Sequence, residues 1–70
     1  MSDEERFAQD ISKVIIGFMA KIDTVSGLNN YYLCNRAPIR KIQDISEEYY
    51  QDVIQAFKDK KGSILEQERE

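Results

Sequence analysis

The sequence has no histidine, a single cysteine, a single proline and three glycines in 70 residues. Without histidine the commonest general acid or base is missing, and Cys34 has no imidazole to activate it as a nucleophile. One thiolate without imidazoles cannot complete a tetrahedral zinc set, and one cysteine cannot form a disulfide within the chain. There is no glycine-rich phosphate loop, calcium loop or paired-metal carboxylate motif. These absences point to a protein that is not an enzyme and takes no cofactor or metal.

Long apolar runs are lacking too. The longest, Val14 to Ala20, falls far short of the roughly 20 residues that span a bilayer, which argues against a membrane protein. The acidic start Ser2-Asp3-Glu4-Glu5, with Asp10 inside the segment, argues against an export signal. A free cysteine without such a signal fits a reducing, cytoplasmic setting. Charge of one sign is scarce as well: thirteen acidic and ten basic residues give a net −3. A nucleic-acid binder leans positive and a DNA mimic far more negative, so this acidic small protein favours neither.

Seventy residues make one small domain, 1–70, and a chain this short buries only about 60% of its unfolded surface. With disulfides and metals set aside, self-association is the remaining way to stabilise it.

The strongest pattern is a helix over about 3–23. Phe7, Ile11, Val14 and Phe18 recur at a four-three-four spacing, the seam of a helix packed lengthwise on another. Ala8, Ile15, Met19 and Ile22 form a second seam beside it, and the combined stripe covers roughly 140° of the cylinder. Ile16 falls on the opposite side. That is more apolar surface than one partner helix covers, so Ile15, Ile16, Met19 and Ile22 are the expected self-association face of a homodimer. Ser2 and Glu5 have capping-box spacing, Asp3, Glu4 and Glu5 complement the helix dipole, and Gly27 reads as the breaker beyond.

A second helix is expected over about 44–61, where Tyr50, Val53, Ile54 and Phe57 stand at i, i+3, i+4, i+7 and Tyr49 widens the stripe. Glu47 and Glu48 suit its first turn, Lys58, Lys60 and Lys61 its last, and Gly62 its C-terminal cap. Ser63-Ile64-Leu65-Glu66 repeats the capping-box spacing, and 66–70 reads as a polar tail. Between the helices, 24–43 is a long connection. Tyr31 to Cys34 have strand propensity with nothing to pair against, and Pro38 suits the first turn of a short helix.

Three groups of residues compete for a functional role. Tyr31, Tyr32, Arg36, Arg40 and Lys41 make the only basic, aromatic segment, a composition favoured at protein hot spots. The three cations would also crowd the positive end of a helix starting at Pro38, and broken local rules mark functional sites. Asp44, Glu48 and Asp52, with Asp59 further on, step along one face as an acidic ridge. Cys34, after three apolar residues, reads as a small buried hydrophobe.

The expected fold is therefore all-α: a small antiparallel helical hairpin with a long, partly helical connection, dimerising into a helical bundle. The expected function is protein–protein interaction, as an adaptor, inhibitor or assembly factor that occupies a partner's surface. Small acidic helical proteins of phages and bacteria often act so. The alternatives are a dimeric helical DNA-binding regulator and a structural subunit of a larger helical assembly.

Overall fold

Four polar residues decide where the helices begin. The computed structural model describes residues 2–69, and among them the chain forms α1 (Asp3–Met19), α2 (Val25–Cys34), α3 (Arg36–Ile45) and α4 (Glu47–Arg69). The Ser2 hydroxyl accepts from the Glu5 N–H at 3.2 Å, and the Thr24 hydroxyl from the Gly27 N–H at 3.0 Å. Each satisfies a donor that a helix start leaves unpaired. Asn35 closes one helix and opens the next. Its N–H reaches the Tyr31 and Tyr32 carbonyls at 3.1 and 3.2 Å, and its own carbonyl accepts from the Ile39 N–H at 3.0 Å. Ser46 is the second single-residue joint, extended at φ −153° and ψ 111°. It donates to the Ile42 carbonyl at 2.7 Å, and its hydroxyl accepts from the Tyr49 N–H at 3.4 Å.

The directions of the helices follow from who meets whom. Phe7, near the start of α1, shares a cleft with Lys41 and Ile45, just before α4 begins. At the far end, Lys60 of α4 donates to the Ala20 carbonyl at 3.0 Å, capping α1 with a cation where the dipole favours one. The two long helices thus run in the same direction. Leu28 and Tyr32 of α2 lie against Lys61 and Phe57, so α2 returns the other way, and α3 carries on from it toward the start of α1. The topology is up, down, up, with the descending limb broken at Asn35.

The core lies between these three limbs. Ala8, Ile15 and Met19 from α1, Leu28 from α2, Ile39 and Ile42 from α3, and Val53 and Ile64 from α4 are all buried. Ser12 completes the buried seam of α1 at 8, 12, 15 and 19, its hydroxyl donating to the Gln9 carbonyl at 2.8 Å. Among the described residues no buried side-chain nitrogen or oxygen lacks a hydrogen-bond partner.

The all-α class stands, but the antiparallel hairpin does not. The stretch 24–43 is not a connection; with Asp44 and Ile45 it supplies a whole helical limb, which is why α1 and α4 end up parallel. The strand propensity of Tyr31 to Cys34 yields to packing on α4 and to caps at both ends. The first helix stops at Met19 rather than near 23. Gly27 sits inside the first turn of α2, where a Cβ would come 2.9 Å from the Thr24 hydroxyl oxygen and so disturb that cap. Pro38 does lie in the first turn of a helix. Gly62 is no cap: α4 runs through it and through Ser63, and burial of Ile64 offsets the roughly 1 kcal/mol that a mid-helix glycine costs. Residues 66–69 of the expected tail are helical, and Glu70 lies outside the described residues.

Gly62 distinguishes the two readings by the sign of one substitution. A left-handed cap penalises alanine. In α4, a Cβ at Gly62 meets nothing within 4 Å. Gly62→Ala should therefore stabilise the chain by about 0.5–1 kcal/mol in urea unfolding. A loss of stability would place the end of α4 at Gly62.

Candidate functional site

The break at Asn35 brings the main candidate together. Starting α3 at Arg36 sets Arg36, Ile39, Arg40 and Gln43 at i, i+3, i+4 and i+7, one face of the helix. Tyr32, from the last turn of α2, and Tyr50, from the first turns of α4, wall that face into a cleft of about 170 Å³. Ile39 is buried at its floor, the tyrosines are half-buried, and both arginines are exposed. Six side chains line the cleft, and none is a carboxylate.

Phe57 holds the Tyr32 wall. The Tyr32 ring meets it edge-on, with centroids 5.1 Å apart and planes at 80°, and Tyr31 lies against it at 6.1 Å. Such geometry adds about 0.5–1.5 kcal/mol beyond area burial. Tyr31 itself turns inward. Its hydroxyl donates to the Ile15 carbonyl of α1 at 2.8 Å, and burial pushes its pKa above the ordinary tyrosine value. It is a strut between α2 and α1, not part of the cleft.

The expected five-residue cluster is therefore divided. Tyr32, Arg36 and Arg40 line the cleft, Tyr31 braces the core, and Lys41 lies in a different groove with Asp3, Glu4, Phe7 and Ile45. Sequence reasoning missed Ile39, Gln43 and Tyr50. The signal was the i, i+3, i+4, i+7 spacing from Arg36, hidden by starting the helix at Pro38. The clash of the cations with the helix dipole is also softened, because Arg36 follows directly on the negative end of α2.

The other candidates fare differently. Ile15 and Met19 are 3% and 2% exposed in the chain's own core, and Ile16 and Ile22 are half-buried against it. Ile16 is only partly open to water: it lines a groove with Ala20 and with Ala56 of α4. The uncovered apolar residues of α1 are Phe7, Val14 and Phe18, from the other seam. The acidic ridge is interrupted, since the extended Ser46 leaves Asp44 on α3 while Glu48, Asp52 and Asp59 are on α4. All four are exposed, and the Asp59 carboxylate accepts from the Gln55 amide at 2.9 Å. Cys34 is exposed at the end of α2, which corrects its reading as a buried hydrophobe. Leu33 beside it is exposed as well, so burial there turns inward only at Tyr31 and Tyr32.

Among the described residues no group of three Cys, Asp or Glu side chains is placed to hold a metal ion. No helix formed by them is long and apolar enough to cross a membrane. Comparison with protein-family models, curated proteins and solved structures finds no match to this chain.

The Tyr31 strut has a measurable signature. Tyr31→Phe removes the hydrogen bond to Ile15 and should cost about 0.5–1.5 kcal/mol near neutral pH. Because the folded state holds the proton more tightly than the unfolded state, the strut contributes fully below about pH 10 and is lost as pH rises through the raised value. The difference in stability between wild type and Tyr31→Phe should shrink over that alkaline window. A difference that does not change with pH would remove the strut.

Proposed function

We propose that this chain is a small, non-enzymatic protein–protein interaction module, an adaptor, inhibitor or assembly factor, that grips an acidic segment of a partner protein through the α3–α4 cleft. The observation that carries this reading is the cleft lining: two guanidinium groups one helical turn apart and two tyrosines, with no carboxylate among them. Arginine pairs with carboxylates through two parallel N–H bonds, and tyrosine adds rigid amphipathic contact area. Size supports the same choice. At about 170 Å³ the cleft is below the roughly 300–1,000 Å³ of small-molecule and cofactor sites, and it suits one or two side chains of a larger partner.

Peptides selected from a random library on the immobilised full chain provide the test. Selection should enrich Asp or Glu flanked by apolar residues. Arg36→Ala or Arg40→Ala should cost about 2 kcal/mol of binding to those peptides, and Lys41→Ala little, because Lys41 lies outside the cleft. Tyr32→Phe keeps the ring against Phe57 and separates stacking from hydrogen bonding. Equal losses at Arg36, Arg40 and Lys41 on random duplex DNA, steepening with salt, would instead favour a DNA-binding regulator.

A further inference from the structure

Three large apolar side chains of α1 are left about half exposed by the chain: Phe7, Val14 and Phe18 are 42%, 51% and 56% exposed. Among them stands Gly17, exposed in the interior of the helix, where an added Cβ would meet nothing within 4 Å. A glycine there weakens the helix relative to alanine, and no contact inside the chain requires it. Its bare backbone does open a hollow of about 260 Å³ lined by Val14, Gly17, Phe18 and Lys21. Val14, Gly17 and Phe18 stand at i, i+3 and i+4 on α1, and Lys21, in the turn just past the end of the helix at Met19, closes the fourth side. Together they frame a hole into which a facing helix inserts one side chain.

We propose that Phe7 of a second copy fills this hollow, with the two α1 helices packed antiparallel about a two-fold axis. One seam carries both the projecting ring and the hole, so the symmetry operation forms both contacts at once. Seating Phe7 between Gly17 and Phe18 of the other copy brings Ile11 and Val14 of the two chains across from each other at the axis. Charge selects the same direction. Asp3 and Glu4, in the first turn of α1, come beside Lys21 of the second copy, whereas a parallel pair would set the acidic starts side by side. The Lys21 ammonium already lies 5.5 Å from the Phe18 ring centroid, at the edge of the hollow. Three exposed side chains per copy fall short of the roughly 800 Å² per partner of a standard interface, so the dimer exchanges with monomer. No residue of this seam lines the α3–α4 cleft, and the dimer does not depend on that site.

Sedimentation equilibrium of the full chain tests the interface. Wild type should show a concentration-dependent monomer–dimer equilibrium. Gly17→Gln, which places a good helix former in open space, should leave helix content unchanged and raise the dissociation constant at least about tenfold. Phe7→Ala should weaken pairing similarly, and Arg36→Ala should not change it. In a Cys34→Ser background, oxidising a mixture of Glu4→Cys and Lys21→Cys chains should give mainly the mixed cross-link. A wild-type monomer up to about 1 mM would overturn the proposal, as would Gly17→Gln dimerising like wild type. Preferential linking of Lys21→Cys chains to one another would overturn the antiparallel packing.

Discussion

The burial of Ile39 and Ile42 is the contact on which the remaining structure depends. Helix α3 packs on both α1 and α4, and these are its only two buried residues, at 2% and 0% exposure. The rest of its ten residues are mostly polar or charged, and an isolated helix of that length is marginal in water. Burying each isoleucine is worth about 1.5–3 kcal/mol, a large share of the roughly 5–15 kcal/mol that holds a small domain folded. Those two side chains keep the descending limb in place, and with it the arginine face above Ile39 and the gap between the parallel long helices.

The parts of this fold that repeat over several turns were legible in the sequence. The Ala8, Ile15, Met19 seam of α1 faces the core, as do Tyr49, Tyr50, Val53 and Phe57 of the α4 stripe. Ile54 of that stripe lies outside the core cluster, and the seam expected to pack on another helix leaves Phe7, Val14 and Phe18 exposed. The polar Ser12 on the α1 seam was not legible, because a buried serine satisfied by its own helix looks like any surface serine. Short helices were harder. In α2 the local preferences of two tyrosines favour strand, and it takes Phe57 and Ile15, distant in the chain, with the Thr24 and Asn35 caps, to make helix the better choice. Asn35 and Ser46 look like ordinary loop residues until their hydrogen bonds show each one ending a helix and starting another. Gly62 misled because glycine marks a helix end only when nothing beyond it is buried, and Ile64 is buried. For the site, residue type pointed to Tyr32, Arg36 and Arg40, but the assignment of Tyr31 and Lys41 needed the turn of each helix.

The two outward surfaces differ in kind. The α3–α4 cleft is concave, polar and cationic, and it is assembled from residues 18 positions apart across two joints. The α1 seam is one helix face, apolar from Phe7 to Phe18, with Asp3 and Glu4 in its first turn and Lys21 in the turn just past its end. A short chain has little interior in which to build a site, so its recognition chemistry falls on the outer faces of helices whose inner faces form the core.

Parallel first and last helices also give the molecule its outline. A 23-residue α4 rises about 1.5 Å per residue and extends well past the end of α1, so the chain measures 45 × 18 × 16 Å. A body about two and a half times longer than wide drags more solvent than a sphere of its mass. It therefore tumbles and diffuses as a larger particle would, and even a single copy elutes early from a sizing column. Side-by-side pairing along α1 would thicken this rod rather than lengthen it, bringing the pair closer to a sphere. Doubling the mass would then change the frictional ratio downward, not upward.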